Sequence, residues 1–149
     1  MNYIREAETY LRHYKDLNDS LKNIDREINR LKLEGRPDDI KAIIYDDMPK
    51  AETMQDDVIN VFYKLQCFMD MRQTTANKLN SIDEILDELE ENYPGYGVIL
   101  KLWYVEKMSK ERIAKQIGYS SKQSIYTHKN KAIRKFAIRL FGIGALKVI

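Results

Sequence analysis

Between Lys110 and Lys135 the chain gathers side chains suited to base edges and phosphates. Lys122, Gln123, Tyr126, Thr127, Lys129 and Asn130 fall within nine residues. Gln123 carries the donor and acceptor pair that matches adenine, and Lys122 the donor that matches the guanine acceptors. Tyr126 and Thr127 suit thymine methyls or phosphates. Lys110, Arg112, Lys115, Lys129, Lys131, Arg134 and Lys135 add the cations of a salt-dependent phosphate contact. Ser121 and Ser124 complete the set. The chemistry expected of these residues is recognition of double-stranded DNA.

Other chemistries have weaker claims. The pairs Asp38-Asp39, Asp46-Asp47 and Asp56-Asp57 bring to mind a two-metal site, but they stand in loops and at a helix start, where Asp caps and turns the chain. His13 and His128 are far apart and lack companions at zinc spacing. Cys67, the one cysteine, lies in the apolar run FYKLQCFM and reads as a packed residue. No phosphate-binding glycine loop and no nucleophile elbow occurs. We expect no enzyme, no metal and no cofactor.

The positioning elements are three short helices. The first, near Tyr96–Glu106, spaces Val98, Ile99, Leu102 and Trp103 as an amphipathic face. Ser109 suits an N-cap; Ile113, Ala114 and Ile117 line one side of the next helix before Gly118 stops it. A third begins at Ser120 or Ser121, with Ser120 and Gln123 at capping-box spacing. Ile113, Ile117 and Ile125 must pack the last two together while one face of the third stays free. That is the layout of a helix-turn-helix.

These residues resemble region 4 of bacterial sigma factors. Ser109, Glu111, Ile113, Ala114, Ile117, Gly118, Ser124, Ile125 and Ala132 stand at the matching places over roughly 45 residues. Lys129 departs from the pattern, occupying a place where that family usually has an apolar residue.

Charge divides the chain. Residues 92–149 hold 12 Lys and Arg against 2 Asp and Glu, while residues 1–91 hold 13 against 21. The basic part matches the footprint of a DNA-binding domain; the acidic part suits partner contacts. In that part Tyr3, Ala7, Tyr10, Tyr14, Leu17, Leu21, Ile24, Ile28 and Leu31 alternate four and three as one unbroken heptad helix. A second such helix, from about Thr53 to Glu91, carries Val58, Val61, Leu65, Phe68, Leu79, Ile82, Leu86 and Leu89, with Arg72 and Thr75 interrupting its seam. Gly35 and Pro37 end the first helix, and residues 35–52 connect the two.

The expected architecture is all-α: a long N-terminal coiled-coil helical hairpin over residues 1–91, then a helix-turn-helix domain over 92–149. Tyr10, Tyr14, Leu17, Leu21, Ile24, Ile28, Leu65, Phe68, Leu79, Ile82 and Leu86 are the expected oligomerisation residues, pairing within or between chains. The helical front half, the segment Tyr45-Asp46-Asp47-Met48-Pro49 and the region-4-like end together resemble the small late-gene transcriptional activators of Gram-positive phages (RinA- and ArpU-like proteins). That resemblance implies activation of structural or packaging genes, with host RNA polymerase as partner, in the bacterial cytoplasm. A small terminase subunit binding packaging-site DNA, and a coiled-coil adaptor of polymerase or of a host regulator, are the alternative readings. No apolar run approaches the roughly 20 residues that span a bilayer, and the N-terminus MNYIREAE has no signal-peptide core.

Overall fold

A computed structural model describes residues 1–34, 51–118 and 122–146, and for residues 51–55 and 122 the backbone alone. The described residues are helical, with no strand among them. The helices are α1 (Tyr3–Arg12), α2 (Tyr14–Glu34), α3 (Ala51–Asn92), α4 (Tyr96–Leu100) with a π-helical turn at Lys101–Val105, α5 (Lys110–Ile117), α6 (Lys122–Phe141) and α7 (Ile143–Leu146). The Gly35–Pro37 stop, the acidic pairs at 38–39 and 46–47, the segment 45–49, Ser120 and Ser121 lie outside the described residues, as does the side chain of Lys122. None of the described helices is long and apolar enough to cross a membrane.

Asn2 starts α1: its side-chain oxygen accepts the Arg5 N–H at 3.1 Å, satisfying one of the free donors of a helix start. The expected unbroken helix over residues 3–31 divides at His13, whose backbone sits at φ −97° and ψ 8°. No Gly or Pro marks that break. The His13 N–H closes α1 on the Thr9 carbonyl at 3.1 Å, and the His13 carbonyl opens α2 by accepting the Leu17 N–H at 2.8 Å.

Contacts group the chain into two compact units, one of Met1–Leu17 with Lys78–Ile149 and one of Asn18–Asn77. The boundary expected from the sequence lies at residue 91. The difference arises because α1 and the last turns of α3 bury their apolar faces against the C-terminal helices. Ala7 and Leu11 of α1, Ile82, Leu86 and Leu89 of α3, Ile99 and Leu100 of α4, Ile113 of α5, and Ile125, Ala132, Phe136 and Ala137 of α6 share one core. Tyr10 packs on that core near the Phe141 ring, centroids 6.4 Å apart. The Tyr14 hydroxyl donates to Asp83 at 2.6 Å, and this bond, with burial, pushes its pKa up to about 12.

In the second unit Asp25, Ile28, Asn29 and Lys32 of α2 line one groove with Met69, Arg72 and Gln73 of α3. The Arg72 guanidinium bonds the Asp25 carboxylate. The polar interruption of the α3 seam is therefore matched within the chain. Ile28 is buried, and Leu17, Leu21, Ile24, Leu65 and Phe68 are half-buried. With Leu79, Ile82 and Leu86 buried in the first unit, much of the apolar seam expected to serve oligomerisation is used inside one chain. A different set stays outside: Ile59, Phe62, Tyr63 and Met69 of α3 are exposed.

The sharpest contact lies where α4 meets α3. A Cβ added at Gly97 would stand 2.5 Å from the Leu86 carbonyl oxygen and 3.0 Å from the Glu90 Cβ. Gly97→Ala should therefore push the two helices apart and cost about 1–3 kcal/mol. Urea unfolding of the variant checks this; an unchanged midpoint would show that the approach is not tight.

Candidate functional site

The site is built on α5 and α6, held from beneath by α4 and its π-helical turn. Glu90, at the end of α3, accepts the Gly95 N–H at 2.9 Å and the Val98 N–H at 3.0 Å with its two carboxylate oxygens. Gly95 takes φ +94° to start α4, a backbone that favours glycine. Ile99 and Leu102 are buried as the spacing suggests, whereas Val98 of the same expected face is exposed and Trp103 is half-buried. The π turn accounts for Trp103. The Glu106 N–H reaches the Lys101 carbonyl, five residues back, at 2.8 Å, and the extra residue re-aims the side chains that follow. Tyr104 is thereby buried, donating its hydroxyl to Glu8 at 2.9 Å. Burial first, then that bond and the Glu8 charge, hold the Tyr104 pKa above the tyrosine range.

Lys107 turns the chain at φ +51°, and Ser109 then caps α5, its hydroxyl accepting the Arg112 N–H at 3.4 Å. Ile113 is buried and Ile117 half-buried, so α5 rests on α6 through the side chains the spacing indicates. Gly118 ends α5 at φ +89°, its N–H bonded to the Ala114 carbonyl at 2.8 Å.

On α6 the inward side is Ile125, Ala132, Ile133, Phe136 and Ala137. Gln123, Thr127, Asn130 and Arg134 are exposed and follow one another at four, three and four residues, so they share one face. The Thr127 hydroxyl donates to the Gln123 carbonyl at 3.0 Å. Ser124 is half-buried, and Lys131 is exposed beside the stripe. Lys110, Arg112 and Lys115 are exposed on α5. Lys135 is turned elsewhere, its ammonium 5.1 Å from the centre of the Tyr93 ring. His128 packs edge-on against Tyr96, centroids 4.9 Å apart, and beside Gly95.

Lys129 lies with its ammonium 5.0 Å from the centre of the Trp103 ring. Its stem is half-buried while its charge meets an aromatic face. Desolvation lowers its pKa below the usual lysine value. Tyr126 meets Trp103 edge-on at 5.2 Å. Trp103 is the one member of this arrangement that sequence reasoning did not place at the site, because its spacing assigned it to the core-facing side of its helix. Among the described residues no group of three or more His, Cys, Asp or Glu is arranged to hold a metal.

No family model, no curated protein and no solved structure matches the chain.

The Ser109 cap fixes where α5 begins and hence where Lys110 sits. Ser109→Ala should lower stability by about 1 kcal/mol. Thermal melting checks this, and a melting temperature equal to the wild type would mean the 3.4 Å bond carries no weight.

Proposed function

We propose that the chain is a sequence-specific DNA-binding transcriptional regulator whose α5 and α6 act as a helix-turn-helix. The observation that carries the reading is the exposed stripe Gln123, Thr127, Asn130 and Arg134 on a helix whose opposite side is core. Lys110, Arg112 and Lys115 on α5 and Lys131 on α6 are exposed as well. A helix fixed by its apolar side, with amide, hydroxyl and guanidinium groups outward and exposed cations on it and on the helix before it, suits the major groove. The charge excess of residues 92–149 favours the same partner. In this reading Gln123 reads a base, and the lysines on α5 hold phosphates and set the register. The resemblance to region 4 and to phage late-gene activators narrows the proposal to activation of late operons through host RNA polymerase.

Self-association belongs to the same proposal. Since much of the heptad seam packs within the chain, its support is now the exposed apolar stripe Ile59, Phe62, Tyr63 and Met69. Sedimentation of the full chain at micromolar concentration should show an oligomer. A monomer at every concentration reached would remove this part and leave the DNA reading intact.

Base reading and phosphate holding separate by mutation. Gln123→Ala should weaken binding to the operator by about 1–3 kcal/mol and relax one base position. Lys131→Ala should weaken all duplexes alike and flatten the salt slope by about one unit. Mobility shifts on operator and random duplex, the operator being sought by footprinting the DNA that flanks the gene, make the comparison. Equal losses on both duplexes for Gln123→Ala would exclude a reading role.

A further inference from the structure

Four side chains from three elements meet at the edge of α6. Trp103 comes from the π turn, Lys110 opens α5, and Tyr126 and Lys129 stand on α6. The Lys110 ammonium is 4.6 Å from the centre of the Tyr126 ring and 5.6 Å from that of Trp103. The Lys129 ammonium is 5.0 Å from Trp103 and 6.0 Å from Tyr126. Both cations thus share one pair of rings, which themselves meet at 75°.

The physics of such a seat differs from that of an ion pair. A carboxylate that orders a lysine also cancels its charge, as for Lys15 with Glu106 at 2.9 Å. An aromatic face orders the ammonium and leaves the charge whole. Among the described residues Lys110 and Lys129 form no ion pair. The carboxylate whose charge favours the Lys129 ammonium, Glu8, already accepts the Tyr104 hydroxyl. Holding two cations together with no carboxylate paired directly to either is unfavourable unless an anion joins them. Lys110 also sits at the positive end of α5.

We infer that Trp103 and Tyr126 form an aromatic seat that presents Lys110 and Lys129 to the phosphate backbone of a duplex, making Trp103 a positioning residue for DNA binding. The inference rests on the DNA-binding reading. It gives Tyr126 a holding role in place of a thymine contact, and it gives Lys129 a reason to stand where the region-4 pattern has an apolar residue.

The test measures full-chain affinity for a mixed-sequence duplex across a salt series, with circular dichroism to verify folding. Lys110→Met with Lys129→Met should flatten the salt slope by about two units. Trp103→Leu should weaken binding roughly fivefold at an unchanged slope, since both cations remain, and Trp103→Phe should restore most of the loss. In the double-methionine background Trp103→Leu should have no further effect. If Trp103→Leu does not fold, Tyr126→Leu carries the same comparison. Affinity unchanged in Trp103→Leu, or an equal loss in both backgrounds, overturns the seat while leaving the DNA reading standing. Failure of the wild type to bind any duplex at low salt overturns that reading and the seat with it.

Discussion

The close crossing of α4 over the end of α3 is the constraint from which the candidate surface follows. Gly97 lets the α4 backbone come within a methyl group of the Leu86 carbonyl, and Glu90 ties that start down through the Gly95 and Val98 amides. With α4 fixed, the π turn has one orientation. It sends Tyr104 inward to Glu8 and leaves Trp103 at the rim. The rim then receives Tyr126 and Lys129 from α6 and Lys110 from α5. A displaced α4 would disturb all of these together, since each packs on the next.

The same dependence explains why α1 belongs with the C-terminal helices. Ala7 and Leu11 are fully buried in the core that α6 also enters, so the first helix of the chain supports the last long one. Burial of that kind supplies most of the stability of a short helical unit, whose isolated helices are marginal in water.

Much of the local structure was legible in the sequence because its signals are local. Ser109 announced the α5 cap, Gly118 its end, and the spacing of Ile113 and Ile125 the side that packs. The outward residues of α6 followed from the same 3.6-residue period. What the sequence hid depends on contacts far apart in the chain. Nothing near Ala7 or Leu11 shows that their partners lie beyond residue 80. His13 interrupts a helix without Gly or Pro. The π turn leaves no composition signal, so Trp103 read as a core residue, and Lys129 had no visible partner until the Trp103 ring was placed beside it. Arg72 interrupts an apolar seam with no partner visible in the sequence, because that partner, Asp25, is 47 residues away.

The central claim is that the outward face of α5 and α6 binds duplex DNA. Amide hydrogen exchange of the full chain, with and without a mixed-sequence duplex at low salt, tests it directly. Slowed exchange should concentrate in residues 110–134, with none in residues 56–77. Unchanged exchange throughout, or protection centred on residues 56–77, would contradict it.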